Sequence, residues 1–405
     1  MCPVQQLDQD FQTSTPVGRP YPYNITCAPV NHAADEQPGT CILGSLPAYA
    51  INATTREDIA ATSAFAKRNN IRLVVTGTGH DLLGRSDGYG GLEVWLRYFR
   101  NDITFQTTYR SAAGDYVYKV AEEHNVIVVG GGSISVGAID LLRSIRGGGP
   151  GYGIVLSNIV KAHPNVDAVA FHSLAIAPFF QTPENPELLD AVTVILQAYP
   201  DLSDAGFAGY TYWFRSFPDP FIGNISSEYS HRFWTIGKTQ EEANTNFTPA
   251  VEIVSGNANE FASNVVLLVG GGQVFKDAAD RNSGLHPAWR MSSFALVTGR
   301  GIPRTASNEV RRNLNDDITF VKGAATKALA PVPGGYMNEG DRHDPDYKDT
   351  FYGSNYAAHL AAKLKYDPEH VFYCPTCVGS EVWIGLPDEP LCRAWKRLES
   401  TFLSM

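Results

Sequence analysis

Residues 76–86 read TGTGHDLLGRS, which places a histidine directly after a glycine and directly before an aspartate. Glycines leave backbone N–H groups open to close approach by a phosphate or a flat ring. An imidazole held in such a cradle, His80, is a candidate reactive group toward a cofactor; the pattern equally suits a turn histidine satisfied by hydrogen bonds. The segment is not a P-loop, because it lacks the G-K-[ST] ending, nor a dinucleotide fingerprint with helix-opening glycines. Further glycine clusters stand at 130–132 (GGG) and 147–157 (GGGPGYGIVLS). The CPTC at 374–377 has the spacing of a zinc ligand pair. No second Cys/His pair of matching spacing lies nearby, so the reading is a disulfide or buried thiol and no metal.

These groups need elements to hold them. Residues 55–69, TREDIAATSAFAKRN, open with Thr55 and Asp58 in capping-box positions and continue as an amphipathic helix around Ile59 and Phe65. The strand IRLVV follows and delivers the chain into the 76–86 loop. A second helix-to-strand unit at 115–129 ends in the GGG. From about 165 to 330, segments such as FHSLAIAPFF, GFAGYTYWFRSF, NVVLLVGGGQVF and SSFALVTGRGIP read as strands of an antiparallel sheet. Helical stretches lie between them, among them TASNEVRRNLNDDITFVKGAAT. A sheet with one helix-covered face and one aromatic-rich face would serve as a substrate lid, or simply as structure. Near the end, a helix over roughly 355–366 sets Ala357, Leu360, Ala361 and Leu364 on one face. The fold class is α+β, with a first domain over 1–164, a second over 165–330 and a C-terminal segment, 331–405.

Composition narrows the function classes. The 405 residues carry a net charge of −10, which argues against a nucleic-acid partner. No apolar run approaches the ~20 residues needed to span a bilayer, so no membrane partner is expected. Four N-x-S/T sequons, at Asn24, Asn52, Asn224 and Asn246, accompany an even six cysteines. That combination points to a secretory glycoprotein, although no signal peptide stands at the N-terminus.

Five blocks occur in a telling order: IRLVVTGTGHDLLGRSDGYGGLEVW, VVGGGSISVG, DLLRSIRGGGPGYGIVLS, GGYMNEGD, and FYGSNYAAHLAAKLKYDPEHVFYCPTCVGSEVW. Together they resemble the fungal branch of the vanillyl-alcohol-oxidase and berberine-bridge-enzyme family of FAD-linked oxidases. The resemblance implies a PCMH-type FAD-binding domain, a substrate domain built on an antiparallel sheet, and a C-terminal segment returning to the FAD domain. It implies FAD as cofactor, with the loop of Thr76, Gly77, Thr78, Gly79 and His80, and with Gly84 and Ser86, around the pyrophosphate. His80 matches the histidine that carries the flavin covalently. Gly149, Gly153 and Ile154 match further cofactor contacts, and Asn355 and Tyr356 match residues that reach the flavin ring. Tyr336 and Glu339 match the pocket-facing segment, Tyr336 as the substrate-side phenol and Glu339 as the acid/base alternative; as plain residues, they also suit packing and a turn. Arg85 or a tail residue would stabilise charge near the ring.

Two departures from the family pattern stand out. Ser133 occupies a position where many members have a second flavin-linking cysteine, and a hydroxyl is too poor a nucleophile for that bond. VGAI also runs straight into DLLRSIR at 139–140, where the family has many tens of further residues. The expected function is an FAD-dependent oxidation of a small alcohol or secondary-metabolite intermediate by O2. The alternatives are a flavin-free isomerase or cyclase on the same scaffold, or an inactive shortened homologue.

Overall fold

The computed structural model describes residues 45–384 and 392–393, apart from 78, 80, 82, 100–103, 107, 111–116, 120–125, 132–138, 162–169, 177–184, 220–222, 236–247, 258–259, 269, 281–282, 303–305, 331 and 333. Contacts divide the chain into two units, Met1–Asn165 with Tyr356–Met405, and Val166–Asn355. Residues 331–355 therefore pack with the second unit, and the chain returns to the first at Tyr356.

In the first unit the strands β1 (Tyr49–Asn52), β2 (Leu73–Thr76) and β3 (Leu92–Trp95) form a parallel sheet in the order β1-β3-β2. Parallel neighbours need a crossover, and the helix Arg56–Arg68 joins β1 to β2. Its N-terminus is the expected capping box: the Asp58 N–H donates to Thr55 Oγ1 at 3.1 Å, and the Thr55 N–H donates to Asp58 Oδ2 at 2.9 Å. The buried face carries Ile59, Thr62 and Ala66, whereas Phe65 is exposed. Phe65 stands six residues beyond Ile59, which at 3.6 residues per turn places it away from the Ile59–Ala66 stripe. Ile59, Ala66, Leu73, Leu92 and Val94 form the core beneath this sheet.

Short antiparallel strands follow: β4 (Thr104–Gln106), β5 (Thr108–Arg110), β6 (Val117–Lys119), β7 (Val126–Gly131) and β8 (Leu156–Lys161). Their sheets run β4-β7-β8 and β5-β6. Residues 117–119, expected at the start of a helix, pair as a strand with β5. The Val-Tyr dipeptide there suits a pleated surface with a cross-strand partner better than a helix.

The helix Ile139–Ile145 begins at the abrupt junction. Asp140 fixes it to the C-terminal helix Tyr356–Tyr366 by accepting from Lys365 Nζ and Tyr366 Oη, each at 2.8 Å. That C-terminal helix turns the opposite way from its apolar pattern. It buries His359, Ala362 and Lys363, while Ala357, Ala361 and Leu364 are exposed. A lysine claims the inner face because its charge is fully bonded there, as described below.

The second unit is built on a five-stranded antiparallel sheet, β13-β12-β10-β11-β9. Its strands are β9 (Ala170–Ile176), β10 (Phe207–Asp219), β11 (Gly223–Thr235), β12 (Ala262–Leu268) and β13 (Ala295–Arg300). The sequence pattern does not single out β11, GNISSEYSHRFWT, because polar residues interrupt any apolar run. Of NVVLLVGGGQVF only the first part is strand; Gly272–Lys276 form a short helix. One face of the sheet is buried through Thr211, Trp213, Tyr229, Val266 and Leu268, packed with the helices Pro186–Gln197 and Thr248–Ser255. The other face carries Tyr210 and Tyr212, edge to face at 5.9 Å, beside their cross-strand partners Leu267 and Val265. Tyr212 is 41% exposed. An antiparallel sheet with a helix-covered face is the arrangement expected from the strand pattern.

Candidate functional site

The first glycine loop leaves β2 at Thr76. Gly79 and Gly84 hold φ of +75° and +74°, which only glycine adopts without strain. Among the described residues, and apart from its chain neighbours, no heavy atom lies within 4 Å of where a Cβ on Gly77 would stand. Beyond the turn the loop is stapled by Asp81. Its Oδ1 accepts from Arg85 Nε at 2.7 Å and pairs with Nη2 at 2.6 Å, while Oδ2 accepts the Arg85 N–H at 2.5 Å. The Arg85 side chain is 5% exposed, so this guanidinium holds the loop together. Ser86 is half-buried and leads into Asp87, whose Oδ2 accepts from Ser45 Oγ at 3.2 Å. Arg72 Nη2 donates to the Asp87 carbonyl at 3.1 Å. Thr78, His80 and Ser133 lie outside the described residues.

Beneath the loop sits Glu93, which no sequence motif flags. It occupies central β3, opposite Ala50 and Val74, and is 1% exposed. Burial pushes its carboxyl up to about 7; the nearby Asp87 charge acts in the same direction, and the Thr76 hydroxyl opposes them. An LEVW strand whose neighbours are all apolar was the available signal, since a carboxylate there must be buried.

The second glycine cluster, 147–153, belongs to the same unit. Gly149 has φ of +69°, and among the described residues the space around a Cβ on Gly153 is again open to 4 Å. A Cβ on Gly148 would stand 2.5 Å from the Ser144 carbonyl and 2.8 Å from His359 Nδ1. Ile154 packs on the first unit's core. Tyr356 opens the C-terminal helix, and its hydroxyl donates to Glu381 Oε2 at 2.6 Å and accepts from the Gly379 N–H at 3.1 Å. Between these lie Cys374 and Cys377, joined as a disulfide.

The remaining candidates belong to the second unit. Tyr336 and Glu339 close one turn, with the Glu339 N–H donating to the Tyr336 carbonyl at 3.0 Å. Asn338 Nδ2 donates to Tyr336 Oη at 3.0 Å, and Trp289 meets the Tyr336 ring edge to face at 6.1 Å. Glu339 Oε2 is buried with no hydrogen-bond partner among the described residues, and burial raises its pKa. Asn355 spends its amide on the carbonyls of Gly284 (3.2 Å) and Leu285 (2.9 Å).

His286, which sequence reasoning passes over, braces the same region. Its Nδ1 accepts from the Ala288 N–H at 3.0 Å, so Nε2 donates to the Asp349 carbonyl at 2.8 Å. Burial lowers the imidazole's pKa, which keeps the ring in the neutral form that this pairing needs. Cβ atoms on Gly334 and Gly353 would come within 2.9 and 2.7 Å of that ring, so both backbones close on it.

Chemically, the first unit offers two glycine-rich loops with space open, among the described residues, at Gly77 and Gly153, suited to close approach by an anionic, flat cofactor. The residues present fit FAD: Thr76, Gly77, Gly79, Gly84, Gly149 and Gly153 would hold it by backbone contact.

Comparison with known proteins agrees. The family model "FAD binding domain" matches residues 47–132, and "Berberine and berberine like" matches 335–379. An FAD-linked oxidoreductase of Hypomyces subiculosus is 43% identical, covering 95% of this chain and 81% of the relative. That alignment runs over 511 positions against the chain's 405 residues, so the relative has residues with no counterpart here. The crystal structure of a VAO-type flavoprotein from Myceliophthora thermophila C1 is 45% identical with a TM-score of 0.83, covering 95% of this chain and 89% of that one. Berberine bridge enzyme shares the fold at 12% identity, with a TM-score of 0.54 and coverage of 83% and 91%.

Proposed function

The chain belongs to the FAD-linked oxidoreductases of the vanillyl-alcohol-oxidase and berberine-bridge-enzyme type, and from that footing we propose that it oxidises a small alcohol or secondary-metabolite intermediate with O2 as electron acceptor. FAD, when bound, supplies the two-electron acceptor. The protein's own part is proton transfer and positioning. Glu339, whose Oε2 is buried with no hydrogen-bond partner among the described residues and whose pKa burial raises, is the group suited to take the substrate proton. Tyr336, oriented through its hydroxyl by Asn338, is the substrate-side phenol. The half-open tyrosine face of the second unit's sheet favours a flat or apolar substrate. The single observation that carries this reading is the buried Glu339 Oε2, which has no hydrogen-bond partner among the described residues.

Oxygen-electrode assay of the purified protein against a panel of aryl and secondary-metabolite alcohols tests it. O2 uptake that vanishes in Glu339→Gln or Tyr336→Phe is the expected result, and turnover without O2 uptake defeats it. Attachment of the flavin through His80 belongs to the same proposal. Acid precipitation of the wild type should leave yellow colour in the pellet, and His80→Ala should release it. Passage through the secretory pathway is also proposed, supported by the exposed sequon Asn52 and the Cys374–Cys377 disulfide.

A redox-neutral isomerase or cyclase is the second reading. The relative's additional residues favour it, and we place the difference at the 139–140 junction, where the family pattern is interrupted. It predicts turnover that tolerates His80→Ala but not Glu339→Gln.

A further inference from the structure

Lys363 is 1% exposed, on the inner face of the C-terminal helix. A lone buried ammonium is costly, yet each of its three protons has an acceptor. Lys363 Nζ donates to the Gly151 carbonyl at 2.5 Å, to Asp367 Oδ2 at 2.5 Å, and to the Phe372 carbonyl. Both oxygens of Asp367 are engaged: Oδ2 also accepts the Phe372 N–H and Oδ1 the Val371 N–H, both at 2.9 Å. Burial lowers the ammonium's pKa, and the Asp367 carboxylate works against that shift. Gly151 lies in the second glycine cluster with φ of +108°, and a Cβ built on it would stand 3.6 Å from Cys377 Cβ. One cation thus ties together two backbone carbonyls and one carboxylate: those of the 147–153 loop, of the strand-like segment that pairs Phe372 with Leu73 of β2, and of Asp367 just past the helix end.

We propose that Lys363 is a positioning residue for FAD, fixing the Gly147–Gly153 backbone through the Gly151 carbonyl so that its N–H groups are presented to the cofactor. The proposal rests on the FAD-binding reading of the glycine loops. A carbonyl pinned from behind cannot rotate its peptide, and the orientation of the next N–H is set by the same plane. A hydrophobic residue would pack the helix equally well but would leave Gly151 free to turn. The chain instead keeps a charge that needs Asp367 and two carbonyls to be tolerated there.

Lys322 provides a matched control. It is 3% exposed in the second unit and donates to the Ile253 carbonyl at 2.7 Å and to Glu260 Oε1 at 3.3 Å. Full-length wild type, Lys363→Met and Lys322→Met would be incubated with excess FAD, desalted, and read for bound flavin per chain and for the shape of the 450 nm band. Amide hydrogen exchange over 148–153 and thermal midpoints would be measured on the same samples. Both variants should lose thermal stability, but only Lys363→Met should lose protection over 148–153 and retain about tenfold less flavin, the change expected for roughly one lost charged hydrogen bond. Unchanged protection in Lys363→Met overturns the proposal. Equal flavin loss in Lys322→Met overturns it as well, by showing mere destabilisation. A wild type that retains no flavin while Lys363→Met still loses protection overturns the cofactor role alone and leaves the loop-holding contact standing.

Discussion

Asp81 and Arg85 grip each other within a single loop, carboxylate on guanidinium at 2.6 and 2.7 Å and carboxylate on backbone N–H at 2.5 Å. The two residues, four positions apart, form a staple directly after Gly77 and Gly79, with Gly84 held between them. The pair is nearly buried, at 12% and 5% side-chain exposure, so removing one partner strands the other. Asp81→Ala should lower unfolding stability by about 3 kcal/mol and reduce flavin retention. Asp81→Asn should cost less, because an amide oxygen still accepts. Urea denaturation with flavin quantification checks both.

Glu93 should make the protein's stability fall as pH rises. Its carboxyl is raised from 4.5 to about 7 in the folded state, so the folded chain holds a proton that the unfolded chain has released. The contribution is fully present below about pH 4.5 and is lost as pH climbs through about 7. Between about pH 5 and pH 8 the wild type should lose about 2 kcal/mol more than Glu93→Gln. Denaturant unfolding of both at the two pH values measures it, and parallel losses would mean that Glu93 is ordinary.

Glu339→Gln should lower turnover roughly a hundredfold or more while leaving KM within a few-fold, since general acid–base catalysis is worth about 10²–10⁴. Because burial raises this carboxyl, the ascending limb of the wild-type pH–rate profile should lie above the usual carboxylate range. The variant should lose that limb. Steady-state kinetics across pH reads both effects.

Reduction of Cys374–Cys377 should cost about 2 kcal/mol at most, because so short a loop gains little from closure. The effect should be local, appearing as faster amide exchange over 373–379 with the second unit unchanged. Mass-resolved hydrogen exchange with and without a phosphine reductant distinguishes this from global loosening.

Much of the local structure is legible in the residues. Thr55 and Asp58 announce the helix start, and the structure forms that capping box. The five ordered blocks disclose the family and its cofactor, because glycines at fixed spacing encode backbone conformations that tolerate few alternatives. Side-chain direction is less legible. Phe65 and Leu364 look like core and are exposed, while Lys363 looks like surface and is buried. Hydrophobic periodicity ranks faces by greasiness, and it has no access to the acceptors that neutralise a charge.

The sequence by itself determined the glycine loops, the helix cap, the aromatic sheet strands and the FAD-linked chemistry, since each is a property of neighbours along the chain. Only the tertiary structure decided the roles of Lys363, Glu93 and His286. Lys363 meets Gly151 from more than two hundred positions away, Glu93 lies in a strand sandwiched between two others, and His286 is clasped by Gly334 and Gly353. A buried polar group is stable only when distant backbone supplies its partners or a neighbouring sheet excludes its water, and both conditions arise from packing.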